Sequence, residues 1–441
     1  MDEKDPLGYV IEFLKNTDEL KAGSDILKVF KKYSNQLEQF DRLGMYFNQM
    51  KDYHSSIECT QIAFNLSTTE DQRYSIRSNL AKLYNHVNEP EISIRYSEQN
   101  LQINPNNYEA KMEILFSNYL AGNFDKSRQE ILKILDDPET PEDIRLRCEF
   151  NIGSYLMDSG DFKQGILNFI DVGHRIGIWK KYDLPLRQWY GEKLPGKTVA
   201  IIAEGGIGDE VINVRFMKNI QDLGMTPIFV TSRKDTSSLF RKNGFKVVNT
   251  IQEVPVDALG IKSMYLPIAL DLDKNQLWNG AYLKADRVYI EKWKTLLPSG
   301  KKIAIRWAGN MYYDQDLHRT VPLDRYNEVL DFSRDDITFV SVQKEGNEDL
   351  SKYPKIFDAS PYLEDLDDLL ACLSLVDYTI SSCTSVAHVC AAAGLPMTVC
   401  PPIATYYTWL GDSKWYGDNC KILRQRKWKD WSHLEQLKEI L

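Results

Sequence analysis

The 441-residue sequence predicts an α + α/β protein, with a helical repeat region followed by two facing, doubly wound α/β halves. Three observations lead to this prediction. A helix–turn–helix pattern recurs through residues 1–180. Short apolar strands alternate with helices after Trp179, and the same alternation starts again at Lys301–Gly309.

The helical part, residues 1–180, contains a helix–turn–helix unit that recurs with small and aromatic residues at related positions. Its turn glycines Gly122 and Gly160 are 38 residues apart, close to the ~34-residue period of tetratricopeptide repeats. An irregular helical bundle would have the same composition and is the alternative. Stacked repeats form a curved surface that typically binds a peptide, a protein or another polymer, so we expect this part to recruit a partner.

The α/β part is predicted to begin after a linker at residues 181–196, which contains two prolines and two glycines. Residues 197–298 and 299–441 are its two predicted halves. Parallel sheets covered by helices bind ligands at the carboxyl ends of their strands. The predicted strands are Val199–Ala203, Thr226–Thr231, Lys246–Asn249, Lys302–Trp307, Ile337–Gln343, Tyr378–Ser382 and Met397–Cys400, and the predicted helices include Asp209–Leu223, Glu364–Leu375 and Ser385–Ala393.

The composition excludes several classes of protein. Hydrophobic residues at 43% and charged residues at 27% are typical of a globular chain, and no apolar stretch is long enough to span a membrane. The acidic N-terminus lacks an apolar signal core, so a cytoplasmic location is expected, or the host cytoplasm for a phage-encoded chain. The seven cysteines are scattered without a CxxC pair, which argues against both a disulfide framework and a zinc site.

A strand, a glycine turn and a helix start follow one another at Val199–Asp209. Gly205, Gly206 and Gly208 allow a ligand to approach the backbone, and the helix start offers free N–H groups. Asp209 lies in the first helical turn, where a carboxylate either caps the helix or faces a ligand. We expect the helix N-terminus to lower its pKa, and the neighbouring Glu210 to point about 100° away.

Polar clusters also follow three predicted strands of the second half. One ends at Asn310 and is followed by Arg319, whose guanidinium is suited to clamping phosphate oxygens. Another ends at Gln343 and Lys344, where the lysine is expected to contact phosphate or water. For each of these side chains an ordinary surface or packing role is the alternative.

The third cluster, at Thr384, Ser385 and His388, opens a predicted helix. Hydroxyls and free N–H groups at a helix start are suited to a diphosphate, although a plain N-cap has the same residues. His388 lies one helical turn further on, and a packed histidine is its alternative. Together these groups place cations and N–H donors in one half and a carboxylate in the other, the arrangement that glycosyl transfer from a nucleoside diphosphate requires.

These motifs resemble a known family. The span from about Trp189 to Trp431 is similar to the glycosyltransferase domain that is attached to tetratricopeptide repeats in many bacterial and phage proteins, and to lipopolysaccharide heptosyltransferases of the GT-B fold. The matching stretches, in the order of the family, are Gly196–Thr198, Glu204–Asp209, Trp307–Asn310, His318–Leu323, Phe339–Gln343, Thr384–His388, Gly394–Pro396, Trp415–Tyr416 and Leu423–Gln425.

The resemblance implies an inverting, metal-independent glycosyltransferase with a nucleoside-diphosphate sugar as co-substrate and no other cofactor. The family's base aligns with Asp209, and its donor contacts align with Arg319, Thr384, Ser385 and His388. Cys383 departs from the family, because many relatives have aspartate there, so the donor sugar is left open. A thiol nucleophile at Cys383 has no acid–base partner nearby in the sequence.

Two further segments of the sequence carry clustered charges. Asp365, Asp367 and Asp368 are predicted to form the solvated face of an amphipathic helix rather than a metal motif. The basic tail Lys421–Lys429, with nearby tryptophans, is a possible nucleic-acid surface. The acceptor is therefore left open between protein, glycan and nucleic acid, with a phage-type DNA-base glycosyltransferase as one alternative and a non-catalytic repeat scaffold as the other.

Overall fold

A computed structural model describes residues 27, 30–31, 35–179, 184–309, 319–344, 348–403, 405–411, 414–428 and 430–441. The chain forms two compact units, Met1–Thr140 and Pro141–Leu441. The described part of the first unit is helical, and the second unit contains two parallel sheets. The predicted α + α/β class is therefore confirmed.

The first unit is a series of helices in which each packs against the next. Lys51, Asn88 and Gly122, with φ of 59°, 59° and 80°, lie in turns between helices and stop the preceding helix. Gly44 allows a close approach, because a Cβ there would lie 3.0 Å from the Thr60 hydroxyl. The helices are α1 (Leu37–Gln49), α2 (Tyr53–Leu66), α3 (Glu70–His86), α4 (Pro90–Ile103), α5 (Tyr108–Leu120) and α6 (Phe124–Asp136).

The second unit begins with helices that the sequence assigned to the repeat region. They are α7 (Glu142–Asp158), α8 (Phe162–Leu167), a π-helical turn (Asn168–Val172) and α9 (Gly173–Arg175). Phe162, Ile166 and Phe169 belong to the same buried core as Val199 and Ile201 of the first sheet. Because these apolar side chains pack in that core, the helices that carry them belong to the α/β unit. The sequence pattern of these helices is nevertheless that of the preceding repeats.

The first sheet is parallel and has the strand order β1-β5-β2-β3-β4. Its strand β1 lies within the predicted linker, and the Trp189 side chain that follows is fully buried. Part of the predicted linker is therefore a fixed edge of this sheet. The strands are β1 (Arg187–Gln188), β2 (Thr198–Ile202), β3 (Thr226–Val230), β4 (Val247–Val248) and β5 (Leu259–Lys262).

The second sheet is also parallel, with the strand order β11-β10-β9-β6-β7-β8. Its four central strands are buried along most of their length, which explains why they read as apolar runs in the sequence. The strands are β6 (Lys301–Arg306), β7 (Ile337–Ser341), β8 (Phe357–Asp358), β9 (Tyr378–Ser382), β10 (Met397–Cys400) and β11 (Cys420–Ile422).

The predicted helix Asp209–Leu223 is two helices, α10 and α11. Between them, the Arg215 Nε donates to the Ile212 carbonyl oxygen at 2.8 Å, a group that a continuous helix would use itself. No helix in the described ranges is long and apolar enough to cross a membrane. The helices that cover the sheets are α10 (Ile207–Val214), α11 (Met217–Asp222), α12 (Lys234–Lys242), α13 (Leu266–Ala269), α14 (Arg287–Leu296), α15 (Leu323–Leu330), α16 (Leu366–Leu373) and α17 (Ser385–Ala392).

The prediction that the acidic residues of α16 face solvent is wrong. Asp367 and Asp368 are only 2% and 1% exposed. Asp367 Oδ2 lies 2.9 Å from Lys242 Nζ and accepts a hydrogen bond from Ser238. Asp368 pairs with Lys292, so both carboxylates are turned inward by cations from distant helices.

Candidate active site

Each sheet has a point where the strand order reverses, and ligand sites in open parallel sheets form outside the strand ends at such a point. In the first sheet β2 lies between β3 and β5, and Glu204 and Gly205 follow its carboxyl end. In the second sheet β6 lies between β7 and β9, and Gly309 and Thr384 follow β6 and β9. The predicted glycine turn and the predicted phosphate-binding segments therefore lie at the two reversal points.

The glycine turn, Gly205–Asp209, is shaped around the Asp209 carboxylate. Asp209 Oδ2 accepts a hydrogen bond from the Gly206 N–H at 2.7 Å and so caps α10. Gly205 has φ of 73°, and a Cβ there would lie 2.4 Å from Asp209 Oδ2, so only glycine fits. The other oxygen, Oδ1, accepts from the Tyr406 hydroxyl at 2.6 Å. Asp209 therefore caps its helix with one oxygen and presents the other to the loop between β10 and β11 of the second sheet.

The pKa of the Asp209 carboxyl shifts upward, and our expectation of a lowered pKa is wrong in sign. Burial raises this pKa, and it outweighs the hydrogen bonds from Tyr406 and Gly206 and the charge of Arg233, all of which lower it. A raised pKa makes the ionised carboxylate a stronger base, which suits proton abstraction from a hydroxyl.

Glu210 is held away from this site, as expected. Its carboxylate is fully buried and accepts hydrogen bonds from the Thr231 and Thr236 hydroxyls and from Arg233. Arg233 also donates to the Gly205 carbonyl oxygen at 2.8 Å. Glu210 therefore anchors an arginine that supports the glycine turn, and its oxygens are occupied by these partners.

His388 on α17 packs directly against the glycine turn. A Cβ on Gly208 would lie 2.7 Å from His388 Cδ2, so Gly208 lets α10 and α17 approach. The imidazole stacks on Trp409 with 4.8 Å between ring centroids, and its Nδ1 lies 2.9 Å from the Tyr416 hydroxyl. Burial, with a smaller contribution from the charge of Arg215, lowers the pKa of His388 to about 3. The ring is therefore neutral near pH 7 and supplies no positive charge.

The neutral state of His388 predicts that the protein loses stability on acidification. An unfolded histidine takes up a proton below its ordinary pKa of about 6.5, whereas the folded one stays neutral down to about pH 3. The contribution of His388 to the free energy of unfolding is complete above pH 6.5. It falls as the pH is lowered, and about 2 kcal/mol is lost at pH 5. Urea unfolding between pH 7.5 and 5 measures the slope, and His388→Gln should flatten it. Parallel slopes in the two proteins would contradict the assignment.

At the start of α17, the N-cap residue does not cap the helix with its side chain. Thr384 occupies the N-cap position in extended conformation, and its side chain makes no capping hydrogen bond. Its hydroxyl instead lies 3.2 Å from the Ser381 hydroxyl, and Ser385 is partly buried. The first N–H groups of α17 are thus not satisfied by this side chain. The side chain of Thr384 therefore does not act as the plain N-cap that was the alternative prediction.

The surroundings of Cys383, just before this helix, argue against a thiol nucleophile. Burial raises the pKa of its thiol to about 11, although a hydrogen bond from Trp409, the charge of Arg319 and the Tyr406 backbone lower it. The thiol is protonated at neutral pH and accepts from the Trp409 indole N–H at 3.2 Å. The charges of Arg319 and Asp209 both act on this thiol, Arg319 lowering its pKa and Asp209 raising it.

The predicted ligand residues Arg319, Gln343 and Lys344 have different surroundings in the structure. Arg319 is partly buried and passes over Gly309, where a Cβ would lie 2.1 Å from a guanidinium nitrogen. Gln343 and Lys344 hold loops: the Gln343 side chain accepts from the Ala308 N–H at 3.1 Å, and Lys344 donates to the Glu364 carbonyl oxygen at 3.2 Å.

Two further positions from the sequence motifs, Asn310 and His318, lie outside the described residues. Within the described ranges no group of three histidine, cysteine or acidic side chains could hold a metal ion. The charges of Asp209 and Arg319 both act on the thiol of Cys383, which directly precedes the start of α17.

Three residues of this site were missed by sequence reasoning. Tyr406 and Trp409 lie in the loop after β10, which carries no motif, and they contact Asp209 and Cys383. Arg215 is buried in a cage of aromatic rings and donates to the Trp415 carbonyl oxygen and to the Tyr282 hydroxyl. The sequence feature that could have pointed to this region is the density of aromatic residues between Tyr406 and Tyr416.

No protein-family model matches the chain, and no curated protein matches it. The chain is similar to a glycosyl transferase family 9 structure from Veillonella parvula, with 13% identity over 57% of this chain and 92% of that chain and a TM-score of 0.40. It is similar to an O-GlcNAc transferase mutant from Thermobaculum terrenum, with 11% identity over 100% of this chain and 92% of that chain and a TM-score of 0.34. It is also similar to YrrB, a TPR protein with an unusual peptide-binding site, with 13% identity over 38% of this chain and 88% of that chain and a TM-score of 0.28. At these levels of similarity, function has to be argued from the chain's own residues.

Proposed function

We propose that this chain is a glycosyltransferase that moves a sugar from a nucleoside diphosphate to an acceptor hydroxyl, with inversion and without a metal ion. The observation that carries the proposal is that the charges of Asp209 and Arg319 both act on Cys383, the residue immediately before Thr384 at the start of α17. Tyr406 links the two sides, because its hydroxyl donates to Asp209 while its backbone contacts Cys383, next to Thr384.

The proposed reaction uses groups from both sheets, at the carboxyl ends of their strands. The acceptor oxygen attacks the anomeric carbon, the bond from that carbon to the diphosphate oxygen breaks, and the hydroxyl proton passes to Asp209. The departing diphosphate carries away the bonding electron pair. Arg319 and the first N–H groups of α17 stabilise this developing charge, which removes the need for a bound cation. A single displacement of this kind inverts the anomeric carbon.

The helical first unit is proposed to recruit the acceptor. A series of packed helix pairs presents an extended surface, and the proposed catalytic groups all lie in the second unit. The acceptor class stays open between protein, glycan and nucleic acid. Because transfer and donor hydrolysis share the groups around Asp209, slow hydrolysis of a sugar nucleotide without acceptor tests the enzyme against the scaffold alternative.

Arg319→Ala is expected to weaken nucleoside diphosphate binding by roughly 1.5–3 kcal/mol, about 10–150-fold, because a charged hydrogen bond to the diphosphate is lost. Calorimetric titration with UDP, ADP, GDP and CDP measures the affinity. Arg325→Ala is the matched control, since Arg325 forms an exposed pair with Glu328 on α15. Unchanged affinity in the Arg319 variant would remove this residue from the site.

Two further measurements bear on the proposal as a whole. Turnover should persist in EDTA, and restoration of lost turnover by magnesium would contradict the metal-free mechanism. A parental protein that binds none of the nucleoside diphosphates and hydrolyses no sugar nucleotide would support the scaffold alternative instead.

A further inference from the structure

The proposed reaction assigns no role to His388, although its ring packs against the glycine turn. The residue is only 4% exposed, and its Nδ1 is occupied by the Tyr416 hydroxyl. Its Nε2 has no hydrogen-bond partner among the described residues, and a Cβ on Gly208 would lie 3.3 Å from it. A buried nitrogen in this position can bind a ligand. What it binds depends on which of the two ring nitrogens carries the proton.

The position of this proton follows from a chain of hydrogen bonds that begins at the end of α10. The Arg215 backbone N–H turns to the Asn213 carbonyl oxygen. In a continuous helix it would bind the Val211 carbonyl oxygen instead. The Tyr282 hydroxyl takes its place and donates to the Val211 carbonyl oxygen at 2.8 Å. The hydroxyl proton of Tyr282 is therefore committed to the backbone.

The Tyr282 oxygen consequently acts as an acceptor toward its other neighbours. The Arg215 guanidinium, which can only donate, lies 2.9 Å from it. The Tyr416 hydroxyl is its second donor. Burial raises the pKa of both tyrosines, and the hydrogen bond between them opposes this rise at Tyr282 and adds to it at Tyr416. Those opposite effects are the ones expected when Tyr416 donates and Tyr282 accepts.

The Tyr416 oxygen is thus left to accept from the imidazole of His388. Nδ1 lies 2.9 Å from this oxygen and supplies the proton of the hydrogen bond. In a neutral imidazole the other nitrogen then carries a lone pair and no proton. Nε2 is therefore an acceptor, at the edge of the ring that faces the glycine turn.

We propose that Arg215, acting through Tyr282 and Tyr416, holds His388 in the Nδ1–H tautomer, so that Nε2 accepts a hydrogen bond from a hydroxyl group of the nucleotide sugar. A lone pair repels a phosphate oxygen, so His388 contacts the donor through a sugar and not through its diphosphate. A site built to bind a hydroxyl discriminates against a ligand that lacks it. Arg215 is a positioning residue, because it acts on the ligand through the two tyrosines and the histidine. The choice of ligand rests on the proposed function, whereas the tautomer rests on the contacts alone.

Selective ¹⁵N labelling of the six histidines in the full chain tests the tautomer, because protonated and unprotonated ring nitrogens have well-separated resonances. His388→Gln identifies the signals, and we expect a protonated Nδ1 and a bare Nε2 at pH 7.5. Tyr282→Phe removes the acceptor of the Tyr416 proton, so that Tyr416 should donate to Nδ1 and the ring should change to the Nε2–H form. Tyr378→Phe is the matched control, since that hydroxyl bonds to Thr398 instead. Thermal melting confirms that each variant folds.

Two results would overturn the tautomer. One is a protonated Nε2 in the parental protein, and the other is a spectrum that Tyr282→Phe leaves unchanged. Should Tyr282→Phe not fold, Tyr416→Phe serves in its place. It removes the partner of Nδ1, and the ring should then populate both tautomers.

The same resonances identify the ligand group. Sugar nucleotides of uridine, adenosine, guanosine and cytidine, their nucleoside diphosphates and inorganic pyrophosphate are added to the labelled protein, with calorimetry to show which of them bind. The Nε2 signal should shift with a sugar nucleotide and not with pyrophosphate. A shift that already occurs with the nucleoside diphosphate assigns the ribose, and a shift that requires the intact donor assigns the transferred sugar.

The outcomes separate this inference from the proposed function. A shift of Nε2 with pyrophosphate, or none when a sugar nucleotide binds, overturns the hydroxyl contact and leaves the glycosyltransferase proposal standing. If none of these nucleotides binds, the proposed function fails and the hydroxyl contact fails with it. The resting spectrum decides the tautomer of His388 in either case.

Discussion

Asp209→Asn is expected to lower kcat by about 10²–10⁴-fold and to leave nucleoside diphosphate affinity nearly unchanged. Asparagine keeps the shape of the side chain, and its oxygen can still accept the Gly206 N–H that caps α10. It cannot take a proton from the acceptor hydroxyl. Single-turnover rates with a saturating donor measure the loss, and calorimetry measures the affinity.

Glu210→Gln is the matched control for this substitution. Glu210 is the adjacent carboxylate, but it is fully buried and bound by Arg233 and Thr231. We expect this variant to melt at a lower temperature and to keep its chemical step. Normal turnover of Asp209→Asn with an inactive but folded Glu210→Gln would move the base by one residue.

Tyr406→Phe probes the same carboxylate through its pKa. The Tyr406 hydrogen bond lowers the pKa of Asp209, so its removal should raise that pKa further. The acidic limb of the pH dependence of kcat should then move to higher pH, because more base is protonated at a given pH. A limb that does not move would mean that Asp209 is not the titrating base.

The parts of the fold that the sequence predicts well are those whose signal is local. The strands Tyr378–Ser382 and Met397–Cys400 match their predicted bounds because each is a short apolar run between turn residues. Strand β5, Leu259–Lys262, was not predicted, since Gly260 normally indicates a turn. In this structure a Cβ on Gly260 would lie 2.2 Å from the Leu184 side chain, so the glycine serves close packing inside a strand.

The candidate site also contains some features with a local sequence signal and others that depend on long-range contacts. The glycine turn and the start of α17 could be predicted because strand, turn and helix start are adjacent in the chain. Tyr406 could not, because it meets Asp209 across 197 positions of sequence and no local pattern encodes that pairing. Gln343 was predicted as a ligand residue, yet its side chain holds the Trp307–Ala308 backbone, a role that depends on the neighbouring strand.

The buried acidic residues of α16 show most clearly how long-range contacts override a local sequence pattern. Asp368 Oδ1 lies 2.8 Å from Lys292 Nζ and accepts the Trp293 indole N–H at 2.9 Å. Its other oxygen accepts the Glu364 N–H at 3.1 Å. Helical spacing alone gives these aspartates a polar face, and the approach of α12 to Asp367 and of α14 to Asp368 turns that face inward.

Asp368→Ala is therefore expected to destabilise the second unit by about 2–4 kcal/mol. The substitution leaves the indole N–H of Trp293, which is fully buried, without its acceptor. The Lys292 side chain is 36% exposed, so water can solvate part of its charge, and the loss stays below that of a wholly buried pair. Urea unfolding followed by tryptophan fluorescence measures the change.

Glu364→Ala provides a control on the same lysine. Glu364 lies 3.6 Å from Lys292, but its side chain is 81% exposed, and an exposed pair contributes only about 0–1 kcal/mol. The two carboxylates thus differ mainly in burial and in the Trp293 hydrogen bond. If the Asp368 and Glu364 variants lost equal stability, charge pairing with Lys292 would explain the effect and the buried hydrogen bonds would contribute little. A much larger loss for Asp368 means that α16 is fixed by satisfying buried polar groups, which explains why its acidic residues cannot face solvent.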